Sequence, residues 1–522
     1  MGALLVVLVP VGAAALAATD VDWYPVGDWS RIEREVRAVG TGDTPLLGSE
    51  SRLGWHHPLP WFLWLLAVPF RISGADSGIL VGAALANGVA LVAAVVVVAR
   101  LAGIVRAWWF AACVALMVAT LGLGQLADPW NATLPLAPWV LVVVLTWATV
   151  QGHVAAFPWL VGVGAVVVGS HLGYAPAVAA VTAVALVGVL RVGRQPDGRR
   201  ALVAGAVVLV VMWLPALADQ AAGSGNLMRI ARSQTGDLPP AAATISTERI
   251  GVGKAVDIFS DQFGLPAPWM ARDPERYADP SFHRAALASP GALLVPTALF
   301  AVSLGLAWRR RRAPVLAMHA VAAVAVLASF LTIATIRGVP LDWLARPAWG
   351  AAIAVWTAIG WSAIDALAPV ARGRARQVVA AGALGGALVL ASQTASRPLL
   401  IAYEGESAVV KALAAPTARL LDRDDVIYVR NASRCRHPSG LALALDRAGF
   451  EVVYPFDEED LDASVTVVLQ IVNRVEYLPD PGRPGPAPVV ATTYRPSAEV
   501  RSKLPPGCAN GVFSVFVHDL RP

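Results

Sequence analysis

Acidic side chains are concentrated near the start of the chain, where residues 20–50 hold seven Asp and Glu. Asp28 follows Gly27 and opens the stretch DWSRIEREVRAV, whose apolar residues recur at the spacing of an amphipathic helix. A carboxylate at this place can cap the helix, or it can accept a proton from a substrate hydroxyl group. Position alone leaves both roles open, and Asp28 is the residue of this stretch best placed for catalysis.

Other polar and aromatic residues lie in short connections between apolar segments. Indole rings pack on sugar faces, amides and carboxylates bind hydroxyl groups, and arginine matches phosphate oxygens. The alternative is that these residues anchor the membrane interface, form turns or contact ordinary lipid. The candidates for substrate binding are Arg52, His56, His57, Asp128, Trp130, Asn131, His171, Tyr174, Arg337 and Arg346. The adjacent histidines lack a third ligand nearby in sequence, so no metal site is assigned, and a divalent cation is left open as a cofactor.

The composition indicates that a membrane positions these residues. Of the 522 residues, 57% are hydrophobic and only 15% are charged, and the mean hydropathy is +0.60. A soluble domain needs more charge to cover its surface, so we predict an α-helical polytopic protein of the plasma membrane. The expected spans, about eleven, are residues 2–18, 76–99, 107–125, 134–150, 156–170, 175–190, 201–218, 291–308, 313–336, 347–370 and 377–396.

Arginine is unevenly distributed among the loops. Alternating spans place four basic loops on one face: they contain Arg100 and Arg106; Arg191, Arg194, Arg199 and Arg200; Arg309 to Arg312; and Arg372, Arg374 and Arg376. By the positive-inside rule this face is cytoplasmic, so loops 19–75 and 219–290 are extracytoplasmic. The net charge of +5 comes mainly from these arginines, and nucleic acid is not an expected partner. The first segment has no basic region before it, which favours a retained helix over a signal peptide.

After about residue 397 the pattern changes to that of a small extracytoplasmic α/β domain. The predicted strands are VIYVR (426–430), EVVYPF (451–456), SVTVVLQIV (464–472) and GVFSVFVHDL near the end, and residues 439–450 form a predicted helix. Cys435 and Cys508 lie in this part, where oxidising conditions favour a disulfide between them. We therefore expect a transmembrane domain at 1–396 and an α/β domain at 397–522.

One stretch of the chain resembles a known family. A first span, a loop with an acidic residue opening a helix, and then DTPLLGSESRLGWHHPLPWFLWLLAVPFRI resemble the integral-membrane GT-C glycosyltransferases, particularly their multispan actinobacterial members. The segments DPWNATLPLAPWVL and GSHLGYAPAV are similar to the same group, and the resemblance covers about residues 1–370. The chain departs from the family's pattern at Leu59, where the relatives have glycine.

The resemblance implies a fold, a reaction and partners. The fold would be GT-C-like, and the reaction would transfer a sugar from a polyprenyl-phosphate carrier to a cell-envelope glycan, lipid or protein. Asp28 would be the catalytic base, with Asp20 and Asp22 as less favoured substitutes. The residues themselves add two expectations. Arg337 or Arg346, which flank one outer loop, would neutralise the departing phosphate, because the planar guanidinium matches phosphate oxygens, and membrane lipid would surround the spans.

Two other classes of function remain as alternatives at the level of sequence. A transporter or flippase for a lipid-linked envelope precursor would also need many spans, although it usually shows repeats and ionisable residues within the membrane. A noncatalytic envelope scaffold would use its extracytoplasmic domain to recruit partners. Dependence of sugar transfer on Asp28 separates both alternatives from an enzyme.

Overall fold

The computed structural model of the chain forms two compact units. The structure describes residues 1–74, 76–236, 248–278, 283–367, 374–430, 435–453, 465–472, 489–505, 508 and 512–519. The first unit comprises Met1–Asp20 and Val39–Leu400, and the second comprises Val21–Ala38 and Ile401–Pro522. The second unit therefore combines a short segment from the predicted first loop with the C-terminal part of the chain.

Helices dominate the described residues. In chain order they are α1 (Gly2–Thr19), α2 (Asp28–Ala38), α3 (Trp61–Ser73), α4 (Gly78–Ala102), α5 (Ile104–Leu126), α6 (Leu136–Val150), α7 (Phe157–Ser170), α8 (Ala175–Arg191), α9 (Pro196–Ala222), α10 (Asn226–Gln234), α11 (Gly251–Phe263), α12 (Pro274–Ala278), α13 (Leu294–Arg309), α14 (Ala313–Ala334), α15 (Pro347–Leu367), α16 (Arg374–Ala395), α17 (Glu404–Ala418), α18 (His437–Arg447) and α19 (Ala498–Ser502). All except α2 and α17 to α19 belong to the first unit.

Nine helices among the described residues are long and apolar enough to cross a membrane. They are α1, α4, α5, α9, α14, α15 and α16, together with α8 and α13 when the helical turns Leu172–Tyr174 and Pro290–Leu293 before them are included. The shorter apolar helices α6 and α7 occupy the predicted spans 134–150 and 156–170, and α3 is a third short apolar helix. The prediction of a polytopic helical membrane protein with a small C-terminal sheet domain is confirmed.

Arginines from two predicted cytoplasmic loops meet at one carboxylate. Arg106 at the start of α5 pairs with Asp365 near the end of α15, with 2.7 Å between nitrogen and oxygen. Arg312, which precedes α14, lies 3.8 Å from the same carboxylate, and Arg310 donates to the backbone carbonyl of Asp365. These loops therefore lie at one end of the helical bundle, as alternating spans require.

The helix α5 is interrupted before its C-terminal end. Gly122 has φ 70° and ψ −178°, which takes the backbone out of the helical conformation within α5. Glycine suits this position because a residue with a Cβ atom rarely adopts positive φ. Asn87 of α4 donates to the carbonyl of Leu126 at 2.9 Å and satisfies a backbone group at the end of α5. The break sets the path of the residues just before the next loop.

The second unit contains a five-stranded mixed sheet. Its strands are β1 (Val426–Arg430), β2 (Glu451–Val453), β3 (Val467–Val472), β4 (Val489–Tyr494) and β5 (Phe513–Asp519), in the order β2-β1-β3-β5-β4. The strand β1 pairs in parallel with β2 and β3, whereas β5 pairs antiparallel with β3 and β4. Cys435 and Cys508 form the predicted disulfide, with 6.2 Å between their Cα atoms.

Each predicted element of the second unit has a counterpart in the structure, although most bounds differ by a few residues, and one further strand was not predicted. Strand β1 has the predicted bounds, and the predicted helix at 439–450 is found as α18. Strand β4 was not predicted from the sequence. Of the predicted strand at 451–456, residues 454–456 lie outside the described part of the chain.

Candidate functional site

The loop between α2 and α3 is tied to the start of α10. The Asn226 side chain accepts from the His56 backbone N–H and donates to the His56 carbonyl, both at 2.8 Å. The His56 ring donates through Nδ1 to the carbonyl of Gly48 at 3.0 Å. Within the loop, the Gly48 N–H donates to the carbonyl of His57 at 2.8 Å. His56 therefore has a fixed backbone and a fixed ring orientation.

His57 and His171 form a buried pair of neutral rings. The backbone N–H of Leu172 donates to Nδ1 of His57 at 3.0 Å, and that of Gly173 donates to Nδ1 of His171 at 3.2 Å. Each Nδ1 is thus an acceptor, which leaves the hydrogen on Nε2. Burial lowers the pKa of both rings, to about 4 for His171, where the charge of Arg52 adds to the effect. At neutral pH the two rings serve as uncharged hydrogen-bond donors.

Aromatic rings surround the histidine pair. His57 and His171 lie 4.9 Å apart between ring centroids, and Trp343 contacts both His171 and Trp130 at 5.3 Å. Tyr174 packs against His171 at 6.2 Å. We call these five residues the aromatic cluster, and four of them were predicted from the sequence. Within the described structure, Trp343 Nε1 and the Tyr174 hydroxyl are buried without a hydrogen-bond partner.

Asp128 organises the turn between α5 and α6. Its Oδ1 accepts from the Trp130 backbone N–H at 3.0 Å. Its Oδ2 accepts from the Thr133 hydroxyl at 2.9 Å and from Gln125 Nε2 at 3.2 Å. The residue is only 5% exposed, and Asn131 beside it donates to the carbonyl of Ser170 at 3.2 Å. Both predicted polar residues of this loop therefore make internal contacts that fix Trp130 in the aromatic cluster.

Arg346 is buried on a short linker before α15. It is 1% exposed, and one guanidinium nitrogen donates to Gln125 Oε1 at 3.0 Å. The guanidinium carbon lies 5.6 Å from the ring centroid of Tyr277 and 6.0 Å from that of Trp349. Among the described residues, Arg346 Nε has no hydrogen-bond partner. A cation that is desolvated and incompletely bonded is poised to attract a further negative group.

Asp342 and Tyr277 accompany this arginine. Asp342 is 4% exposed, and neither its Oδ1 nor the Tyr277 hydroxyl has a hydrogen-bond partner in the described part of the chain. Burial and the Asp342 charge raise the pKa of Tyr277 to about 12, although the Arg346 charge acts in the opposite direction. We call Tyr277, Asp342 and Arg346 the buried charge cluster. Burial also raises the pKa of nearby Asp261, whose carboxylate receives a hydrogen bond from Gln262.

Two other predicted arginines bind backbone carbonyl groups. Arg52 donates to the carbonyl of Val339 at 3.1 Å and to that of Arg337 at 2.7 Å. Arg337 itself donates to Ser233 at 2.8 Å and also to Gln234, at the end of α10. These contacts tie the loop before α3, the end of α10 and the linker before α15 together. Of the two arginines considered for phosphate binding, Arg346 is the one that lacks such backbone partners among the described contacts.

Asp28 is the first residue of α2, and it is exposed. It belongs to the second unit, whereas the aromatic cluster and the buried charge cluster belong to the first. Within its own unit, the backbone carbonyl of Gly27 accepts from the Ser30 hydroxyl at 2.7 Å. Its catalytic role stays a prediction.

Gln125 and Tyr277 were not predicted as site residues. Gln125 is a single amide in the apolar span of α5, and Tyr277 lies in a polar loop far away in sequence. A lone polar residue near the end of an apolar span is a weak signal that could have drawn attention to Gln125. No group of three or more metal-ligating side chains occurs among the described residues.

The comparisons with known proteins show a shared fold. No protein-family model matches the chain, and no curated protein matches it in sequence. Two solved structures of ArnT from Cupriavidus metallidurans are similar in three dimensions. The structure bound to undecaprenyl phosphate aligns with a TM-score of 0.54 and the apo structure with 0.50, each at 15% identity over 90% of this chain and 92% of the other. The chain is therefore a multi-pass membrane protein with an ArnT-like fold.

Proposed function

We propose that this protein is a membrane glycosyltransferase of the GT-C class. It would transfer a sugar from a polyprenyl-phosphate donor to an acceptor of the cell envelope, on the extracytoplasmic side of the plasma membrane. The observation that carries the proposal is the likeness, over 90% of the chain, to ArnT bound to undecaprenyl phosphate, which is a polyprenyl phosphate. The sequence resemblance to the GT-C class supports the same conclusion from different data.

The reaction needs positive charge near the donor phosphate. An acceptor hydroxyl oxygen attacks the anomeric carbon, the bond between that carbon and the phosphate oxygen breaks, and the polyprenyl phosphate leaves with added negative charge. A preorganised cation at that place stabilises the transition state. Arg346 is the proposed cation, because its guanidinium is buried and only partly bonded. Arg337 is less suited, because its guanidinium already binds two backbone carbonyl groups.

The reaction also needs an acceptor for the hydroxyl proton. Asp28 is the proposed base, because the resemblance to the GT-C class implies this role and its exposed carboxylate can take the proton as the glycosidic bond forms. The aromatic cluster would supply neutral N–H donors and flat apolar surface for a sugar. The arginine-rich loops that meet at Asp365 support an extracytoplasmic position for the opposite end of the bundle.

The test is transfer of radiolabelled sugar from a polyprenyl-phosphate donor in membranes that contain the Asp28→Asn variant. We expect transfer to fall by about 10²-fold or more, the contribution typical of a positioned base. The comparison variant is Asp22→Asn, since Asp22 is a less favoured base in the same segment and forms an exposed ion pair with Lys411 at 2.5 Å. A larger loss of transfer in Asp22→Asn than in Asp28→Asn would assign the base to Asp22. Full transfer by Asp28→Asn at equal protein level would remove Asp28 from the mechanism. Absence of transfer by the unaltered protein from every polyprenyl-phosphate sugar would refute the proposed activity.

A further inference from the structure

A cavity of about 410 Å³ lies in the first unit, beside the interrupted end of α5. Three stretches line it: residues 121–125 of α5, residues 272–275, and Arg397, Pro398 and Leu400. Its inner wall includes the buried residues Leu121, Leu123 and Gln125, whereas Arg272 and Arg397 are exposed. The cavity therefore has an apolar and amide floor beneath a charged rim. Its volume is in the range of small-molecule sites.

The backbone segments around the cavity are closely packed. At Gly122 an added Cβ atom would come within 2.6 Å of Pro274 Cβ, and at Gly124 it would overlap the carbonyl oxygen of Leu400. The Arg272 N–H donates to the buried Thr120 hydroxyl at 3.0 Å. Glycine at two positions thus lets three stretches of backbone approach closely.

The charges on the rim cancel. Arg272 and Arg397 contribute two positive charges, and Asp273 and Glu275 contribute two negative ones. A phosphate would be attracted by the two arginines and repelled by the two carboxylates. A neutral ligand with many hydroxyl groups can use both, because hydroxyls donate to carboxylates and accept from guanidinium groups.

The amide at the floor suits the same kind of ligand. Gln125 donates one amide hydrogen to Asp128 and accepts one hydrogen bond from Arg346. An amide has two hydrogens and two acceptor positions, so one of each remains for a ligand. Gln125 also connects the cavity directly to the buried charge cluster. A ligand that binds Gln125 would therefore contact a side chain that is hydrogen-bonded to Arg346.

We infer that this cavity binds one neutral sugar unit of the substrate, an inference that rests on the proposed function. Gln125, Glu275 and Arg397 are the residues assigned to its hydroxyl groups. The sugar can come from the lipid-linked donor or from the end of the acceptor, since both present the same hydroxyl chemistry. The cavity would then set which sugar the enzyme handles.

The test is saturation-transfer NMR on the purified full-length protein with separate samples of mannose, arabinose, galactose and glucose. At least one sugar should bind, and the double variant Arg397→Gln with Glu275→Gln should raise its dissociation constant by about tenfold or more. The control is Arg200→Gln with Asp197→Asn, an exposed pair 3.4 Å apart on α9, which should leave binding unchanged. Both altered pairs are exposed, and the thermal midpoint verifies folding.

A further binding measurement distinguishes the source of the sugar. If added undecaprenyl phosphate changes the dissociation constant of the sugar, the cavity holds the sugar of the donor; if it does not, the cavity holds that of the acceptor. The inference is overturned if no sugar binds, if the double variant binds as well as the unaltered protein, or if inorganic phosphate displaces the sugar. Binding requires no turnover, so a failed transfer assay with intact sugar binding would refute the proposed activity alone.

Discussion

The two units bury charged side chains in different ways. In the second unit, Glu33 is fully buried and both its oxygens are used: Oε1 accepts from Arg37 and Arg447 at 2.9 Å each, and Oε2 accepts from Arg447 at 2.5 Å. In the first unit, Arg346 and Asp342 are almost as deeply buried, but each has a polar atom without a partner among the described residues.

This difference in hydrogen bonding indicates that the buried charges of the two units have different roles. A buried ion pair with complete hydrogen bonding repays the cost of desolvation and fixes one arrangement of its helices. A buried charge that is incompletely bonded costs stability, and such a cost is typical of sites that await a ligand. We therefore assign the Glu33 pair to folding and the buried charge cluster to function. Each prediction below can contradict that assignment.

The largest effect is expected when the fully hydrogen-bonded ion pair of Glu33 and Arg447 is broken. Arg447→Met should destabilise the second unit by about 3–5 kcal/mol, because the Glu33 carboxylate stays buried with half of its partners removed. The loss of stability is measured by chemical denaturation of the full-length protein. Cleavage by a protease within residues 401–522 reports the unfolding of the second unit. Lys411→Met removes only an exposed ion pair and should cost less than about 1 kcal/mol. Equal effects of the two variants would contradict a structural role for the Glu33 pair.

A smaller effect, on activity, is expected in the buried charge cluster. Arg346→Met should lower sugar transfer by about 10²-fold, the loss typical of removing one transition-state contact. Its thermal midpoint should fall less than that of Arg447→Met, because an incompletely bonded charge contributes less to stability. Arg337→Met is the control and should keep most of the transfer activity. Unfolding of Arg346→Met with no specific loss of transfer would show that the cluster is structural.

The smallest effect concerns pH and the aromatic cluster. The pKa of His171 in the folded protein is about 4, below the ordinary value of 6.5, because the ring is buried. Between these values the unfolded chain binds the proton and the folded chain does not, so stability falls as the pH drops from 7 to 5. The expected loss from this ring is about 2 kcal/mol. His171→Gln should reduce the pH dependence of the thermal midpoint, and an unchanged dependence would contradict the assignment of a neutral buried ring.

Local pattern predicted much of the fold. The amphipathic spacing after Asp28 predicted α2, alternation predicted β1, and the expectation of an oxidising compartment for two cysteines predicted the disulfide. Strand β4 was missed, because the sequence VVATTY follows a stretch rich in proline and glycine that favours a loop.

The site was predicted only where its residues are close in sequence. Local motifs identified four members of the aromatic cluster, and Trp343 joined them only through the fold. The contact of Gln125 with Arg346 spans 221 residues, and no periodicity within either segment encodes it. The break at Gly122 was also missed, since one glycine in an apolar span is compatible with an unbroken helix.

The ion pair between Glu33 and Arg447 also bears on how the protein is made. The helix that begins with Asp28 is synthesised well before Arg447, a partner of Glu33 that lies 414 residues further along the chain. During synthesis Glu33 of α2 therefore lacks Arg447 until the helices of the first unit have been translated. The proposed base would join its folded unit only after residues 401–522 have been translated, so a polypeptide truncated before Arg447 would leave Glu33 without this partner even if every span were in place.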